Sequence, residues 1–312
     1  MAASDWPTLD LSGSQATMDA LHLWTQIVGK VRLSLEPMVN HWWQVPLYVS
    51  ARGLTTSLMH AGGLGVEMEF DFTEHRLDVR TTRGEARRVP LAAGSVAAFY
   101  DATMAALAEL GVRVRIWPHP NELPSELPFG DDTADRPYDA ESVHRFWLAL
   151  VQTQRVMYAF RARFVGKVSP VHFFWGADDL AVTRFSGRTA PRHRGGVVNC
   201  PDWVQQMAYS HEVSSCGYWP GGSDEGTFYS YAYPEPAGLA ERPADPTAAS
   251  YEASLGEFVL PYTAVREAED PDAALLAFFQ STYAAAADLA GWDRAALEVA
   301  GSPSLGELPV DD

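Results

Sequence analysis

One helical phrase is spelled twice in this chain, 179 positions apart. Phe99-Tyr100, Thr103-Met104-Ala105-Ala106 and Glu109-Leu110-Gly111 return as Phe278-Phe279, Thr282-Tyr283-Ala284-Ala285 and Asp288-Leu289. Either the chain is an internal duplication that seats two similar helices in similar surroundings, or the two segments look alike because both obey the same periodicity; the segments before them also correspond, which favours duplication. Trp24 lies on an apolar stripe with Leu21, Ile27, Val28, Val31 and Leu35, which predicts a helix over 21–35 with Pro37 past its end. Trp147 lies on a longer stripe, which predicts a helix over 140–164 opened by the cap candidate Asp139. Trp24 to Trp147 is 123 positions and Pro46 to Pro170 is 124. Against the offset of 179 for the closing helices, this leaves 55 extra residues in the second half, assigned mostly to about 187–226.

Between the helices the pattern shortens to runs at 45–50, 54–59, 66–72, 76–81 and 86–91, punctuated by Gly53, Gly62-Gly63, Thr73-Glu74-His75 and Arg83-Gly84. That is the pattern of an antiparallel meander. A helix over 95–110 and a strand over 112–117 close the first half; the second half has runs at 168–175, 180–186, 207–215, 228–233 and 257–261 before a helix at 272–289. No strand-helix-strand alternation points to a parallel sheet. The fold class expected is α+β: two duplicated α-(antiparallel β-meander)-α units, their sheets covered by helices, with an insertion in the second. The units span 1–117 and 138–298, joined by a proline-rich, acidic linker at 118–137 and followed by a flexible tail at 299–312.

The composition, 47% hydrophobic and 20% charged, fits a globular chain with a large core. A net charge of −17 from 40 acidic and 23 basic side chains argues against nucleic acid and anionic membrane surfaces as partners. Cys200 and Cys216 form no disulfide framework or CxxC pair, and the N-terminus carries no secretory pattern, so a cytoplasmic location is expected.

Several mechanisms fall away on spacing. Gly29-Lys30-Val31 and Gly166-Lys167-Val168 follow helices and lack the hydroxyl of a phosphate loop, and Gly62-Gly63-Leu64-Gly65 is not a dinucleotide fingerprint. His211-Glu212-Val213-Ser214-Ser215 opens like a zinc-protease motif but has Ser215 where the second histidine belongs. The remaining polar groups concentrate in the second half. In the run 171–175, His172 shares a strand face with Phe174; in the run 209–222, His211 shares one with Tyr209, Val213 and Ser215, while Glu212 faces the other way with Cys216. His211, Glu212, His172 and Cys216 are the candidate catalytic residues. Arg184 and Arg188 could clamp a carboxylate or phosphate, with Trp175, Trp219, Tyr218 and, in the first half, Tyr48 as aromatic contacts. A divalent metal is optional, with His172 and His211 as its ligands. The bland alternatives are a hydrogen-bonded core histidine, a solvated carboxylate, a small buried cysteine and surface ion pairs.

The blocks 24–33, Asn40-His41-Trp42-Trp43, 166–188, 209–222 and 270–297 resemble an uncharacterised bacterial domain-of-unknown-function family, number 5996, over nearly the whole chain from Trp6 to about Glu298. The resemblance implies a stand-alone, soluble, cytoplasmic bacterial protein and carries no activity with it.

Two functions are weighed. In the first, the chain is a small-molecule enzyme whose polar-aromatic pocket lies in the second half, since His172, Arg184, His211 and Glu212 would each cost about 1–3 kcal/mol if buried without partners. In the second it is a non-catalytic protein whose aromatic cleft binds a ligand or a partner chain.

Overall fold

The computed structural model describes residues 5–299, so all but the first residue of the expected 299–312 tail lies outside the described residues. Helix α1 (Gln15–Leu35) leads into β1 (Tyr48–Val49), β2 (Gly53–Thr55), β3 (Met59–Ala61), β4 (Leu64–Asp71), β5 (Arg76–Thr81) and β6 (Ala86–Pro90), and α2 (Val96–Glu109) follows. The second half opens with α3 (Ala140–Ala162) and continues through β7 (His172–Phe174), β8 (Asp179–Thr189), α4 (Asp202–Ala208), β9 (His211–Trp219), β10 (Thr227–Tyr233), β11 (Ser250–Glu252) and β12 (Glu257–Pro261). Helices α5 (Tyr262–Arg266), α6 (Pro271–Leu289) and α7 (Arg294–Leu297) complete it. The class is α+β, with two antiparallel sheets of six strands each. Each is preceded by a long helix and followed by another.

Asp139 caps its helix as the sequence predicts, and Ser95 and Asp270 cap two others. Ser95 accepts from the Ala98 N–H, Asp139 from those of Glu141 and Ser142, and Asp270 from that of Ala273, each satisfying free donors of a first helical turn. The first sheet runs β1-β2-β4-β5-β6 with β3 beside β4. Its apolar side, including Phe70, packs under α1 and α2, where Trp24 stacks on Phe99 at 4.8 Å. The second sheet runs β7-β8-β9-β10-β12-β11. One of its faces, with Leu180, Val182, Cys216, Tyr218 and Phe228, is buried under α3 and α6.

Two expectations need correction. Residues 112–117 form no strand: Val112 and Ile116 are buried, but the segment joins no sheet, the Val112 N–H bonding back to the Leu107 carbonyl and the Arg115 carbonyl accepting from Ser34, so the alternation records burial without a ladder. Residues 207–215 are divided between α4 and β9. The helix has only seven residues and none is fully buried, so its stripe of Val204, Met207 and Ala208, partly buried against the core, is too short to show a period; its other signals are Pro201 at the cap and Asp202 in the first turn. The 118–137 segment is irregular, as its prolines require, yet Phe129 is buried and residues 117–122 lie across the second sheet. One continuous core cluster runs through both halves. Its centre includes Ile27, Val28 and Val31 of α1, each fully buried and contributing about 1.5–3 kcal/mol.

Candidate functional site

The other face of the second sheet is open to a cavity of about 670 Å³. Its floor is Asp179, Ala181, Thr183 and Phe185 of β8, Val213, Ser215 and Trp219 of β9, and Tyr229 and Tyr231 of β10. These are alternate residues, as one face of a pleated sheet requires. The walls come from residues 41–45, 117–122 and 200–208. They are tied together by bonds from Trp42 Nε1 to the Val204 carbonyl (3.0 Å) and from the Glu122 N–H to the Val198 carbonyl (3.1 Å), and by a contact between His41 Nδ1 and the Ala208 carbonyl (3.0 Å). Six indoles of the walls and floor, Trp42, Trp43, Trp117, Trp175, Trp203 and Trp219, give the space an aromatic surface.

Asp179 stands on the floor, 9% exposed, and accepts a hydrogen bond from the Tyr229 hydroxyl. Burial pushes its carboxyl up to about 7; the Tyr229 bond opposes that rise, and nearby Glu122 and Asp178 add to it. Gly217 explains how Tyr229 reaches across. It lies on β9 between Ala181 and Tyr229 in register, and a Cβ there would overlap the Tyr229 hydroxyl and the Leu180 carbonyl. Burial also raises the carboxyls of Glu257, to about 7, and Glu122.

Lys30 reaches the cavity from α1. Its residue is 2% exposed, its Nζ donates to Asn121 Oδ1, and it stands 5.5 Å from the centre of the Trp175 ring. Burial brings its ammonium down to about 8, an effect the neighbouring Cys200 opposes. Gly29, one residue earlier, lets α1 lie against that indole, because any Cβ would collide with it.

The backbone around the cavity is strained. Among the described residues, seven non-glycine positions have left-handed φ, and five of them cluster here: His41, Trp42 and Glu122 line the cavity, while Asp178 and Asn199 adjoin lining residues. Such conformations cost on the order of 1–2 kcal/mol for bulky residues and tend to gather at functional sites.

A family model described as a family of unknown function, DUF5996, matches residues 6–299. The chain belongs to that family. No curated protein and no solved structure matches it.

In this DUF5996 chain the residues singled out by sequence are dispersed. Trp175 and Trp219 line the cavity. His172 lies on the same sheet face as the floor residue Ala181 but is covered, its ring against Trp43, Tyr48 and Phe174, while His211 lies against His41. The expected meeting of these two imidazoles does not occur. His172 pairs with Ala181, which pairs with Gly217, and that residue is six positions along β9 from His211. Among the described residues no three His, Cys, Asp or Glu side chains gather as a metal site.

Arg184 and Cys216 are on the opposite face. The Arg184 guanidinium lies 3.4 Å from the Phe160 ring centre and 4.3 Å from that of Tyr283, and it donates to the Phe160 carbonyl. Burial raises the Cys216 thiol pKa, which suits a packing role rather than a thiolate nucleophile. Tyr218 is buried there too, donating to the Glu225 carbonyl (2.9 Å). Arg188 pairs with Glu212 at 2.7 Å and donates to the Ala290 and Gly291 carbonyls just past α6, so this pair ties a strand to a helix end. Tyr48 lies under the Arg32 guanidinium, 5.1 Å from its ring centre.

Sequence reasoning passed over Lys30, Glu122, Asp179, Tyr229 and Glu257. One available signal was the strand-interior Gly217; another was lysine usage, since only Lys30 and Lys167 among the 23 basic side chains are lysines.

Proposed function

We propose that this chain is a small-molecule enzyme whose substrate occupies the cavity on the open face of the second sheet, with Asp179 as the group that exchanges a proton with it. The observation that carries this reading is the Asp179–Tyr229 pair: a carboxyl on the cavity floor, with no ion-pair partner among the described residues, and with its pKa pushed up to about 7 by burial. A group so poised is both a competent donor and a competent acceptor, and perturbed carboxyls in clefts are the usual mark of acid-base sites. The aromatic walls supply the apolar area that holds a substrate and excludes water. They also favour a second reading, a binding protein that does no chemistry.

Tryptophan fluorescence separates the two, because several indoles line the space. A panel of small molecules should quench wild-type fluorescence and lose affinity in Ala181→Phe, which fills the cavity floor. Conversion of a bound compound, followed by NMR, should then fall by roughly 10²–10⁴-fold in Asp179→Asn while quenching persists. Binding with no conversion would favour the second reading. Equal affinity in Ala181→Phe would remove the cavity from either.

A further inference from the structure

Lysine is used in an unusual way here. Only two of the 23 basic side chains are lysines. Lys30 lines the cavity, and Lys167 stands at its edge, with Nζ 2.7 Å from His41 Nε2 and 4.7 Å from the Phe185 ring centre. Among the described residues every ion pair uses an arginine or a histidine, so neither lysine has a carboxylate partner in a chain with 40 acidic residues. A buried ammonium held by one neutral amide and an indole face is costly as a structural device, and arginine would serve that purpose better. A desolvated amine at the wall of an apolar cavity is suited instead to react while neutral.

Resting on the cavity reading above, we propose that Lys30 is a nucleophile that forms an imine with an aldehyde or ketone substrate bound between Trp175 and the sheet floor. The neutral Nζ attacks the carbonyl carbon; the C–N bond forms as the carbonyl π pair moves to oxygen, which takes up a proton. Nitrogen then loses a proton, the hydroxyl leaves as water with a second proton, the C=N bond closes as a protonated imine, and nitrogen releases its remaining proton, which returns the two protons taken up. The net change is amine plus carbonyl to imine plus water, with no oxidant or reductant. Glu122 is the nearby acid fitted to supply the proton: it follows Asn121, which holds Nζ, and it lines the same wall. Burial raises its carboxyl pKa, so it retains that proton more readily. Three lining carboxyl groups, Glu122, Asp179 and Glu257, favour a carbonyl compound without its own anionic group.

Reductive trapping tests this directly. The full chain is incubated at neutral pH with benzaldehyde and cyanoborohydride, whose hydride adds to the imine carbon and fixes the benzyl group on nitrogen, and the modified residue is located by peptide mass spectrometry. The expected result is a single benzyl group on the Lys30 peptide, formed ahead of Lys167 and the α-amino group and lost in Lys30→Arg. Label spread over Lys167 and the α-amino group, or absent from Lys30, would overturn the inference, and the wild-type map decides this even if the variant folds poorly. Loss of Lys30 labelling in Ala181→Phe is expected if the cavity is the route. If panel compounds bind the wild-type cavity but Lys30 is not trapped, only the imine falls. If Lys30 is trapped equally in Ala181→Phe, the cavity reading falls with the proposed substrate position.

Discussion

His172 is fully buried, and neither ring nitrogen has a hydrogen-bond partner among the described residues. Burial, with help from the charges of Arg32 and Arg161, drives its pKa down to about 3. The unfolded chain protonates this side chain near 6.5, so between those values unfolding takes up a proton and stability falls as the solution is acidified. In urea titrations, His172→Phe should flatten the loss of stability between pH 6 and 4.5 by up to about 1.4 kcal/mol per pH unit. An unchanged slope would place the acid sensitivity elsewhere. Asp179 has the opposite sign. Its folded pKa of about 7 lies above the unfolded value, so its contribution to stability is lost as pH rises from about 4 through 7. Asp179→Asn should therefore be more stable than wild type at pH 8, by a few kcal/mol at most, with little gain at pH 5. Equal melting temperatures of variant and parent at pH 8 would contradict that. Stability and the proposed proton transfer pull against each other at this residue.

Strand β9 serves both faces of the second sheet. It supplies Val213, Ser215 and Trp219 to the cavity, turns Cys216 and Tyr218 to the helices, and leaves a gap at Gly217 that Tyr229 crosses. Gly217→Ala should displace the Tyr229 ring, cost about 1–3 kcal/mol in overpacking, and lower any Asp179-dependent turnover; a variant with parental stability and turnover would show that the ring needs no such gap. The four long helices and most strands were legible because each has one buried face and a punctuated end. Helices α4, α5 and α7 were not, each being too short to show a period, and neither was the absence of a strand at 112–117. Strand alternation did separate His211 from Glu212, and Ser215 from Cys216. It could not show which face helices would cover, so Arg184 and Cys216 were grouped with a pocket on the other side of their sheet. Lys30, Glu122 and Asp179 come from a helix, an irregular segment and a strand start, and only tertiary packing brings them to one space.

At the scale of the whole molecule, the two halves share one core, and Leu47 and Phe173 exchange backbone hydrogen bonds of 2.9 Å from one sheet to the other. Trp147 Nε1 of α3 also donates to the Ser50 carbonyl at 3.2 Å. Urea unfolding should accordingly be one cooperative transition, coincident by far-ultraviolet circular dichroism and tryptophan fluorescence. Two separated transitions would mean that the halves fold independently. The Leu47–Phe173 exchange closes β1 and β7 against each other, so two strand borders that would otherwise offer free N–H and C=O groups are occupied within the chain. Two further borders are blunted: β6 carries Arg87, Arg88 and Pro90, and β11 is three residues long and contains Glu252. Opening that corner, as Leu47→Pro would, exposes strand templates for neighbouring molecules, so the integrity of this small junction governs whether the protein stays dispersed at high concentration or begins to assemble sheet to sheet.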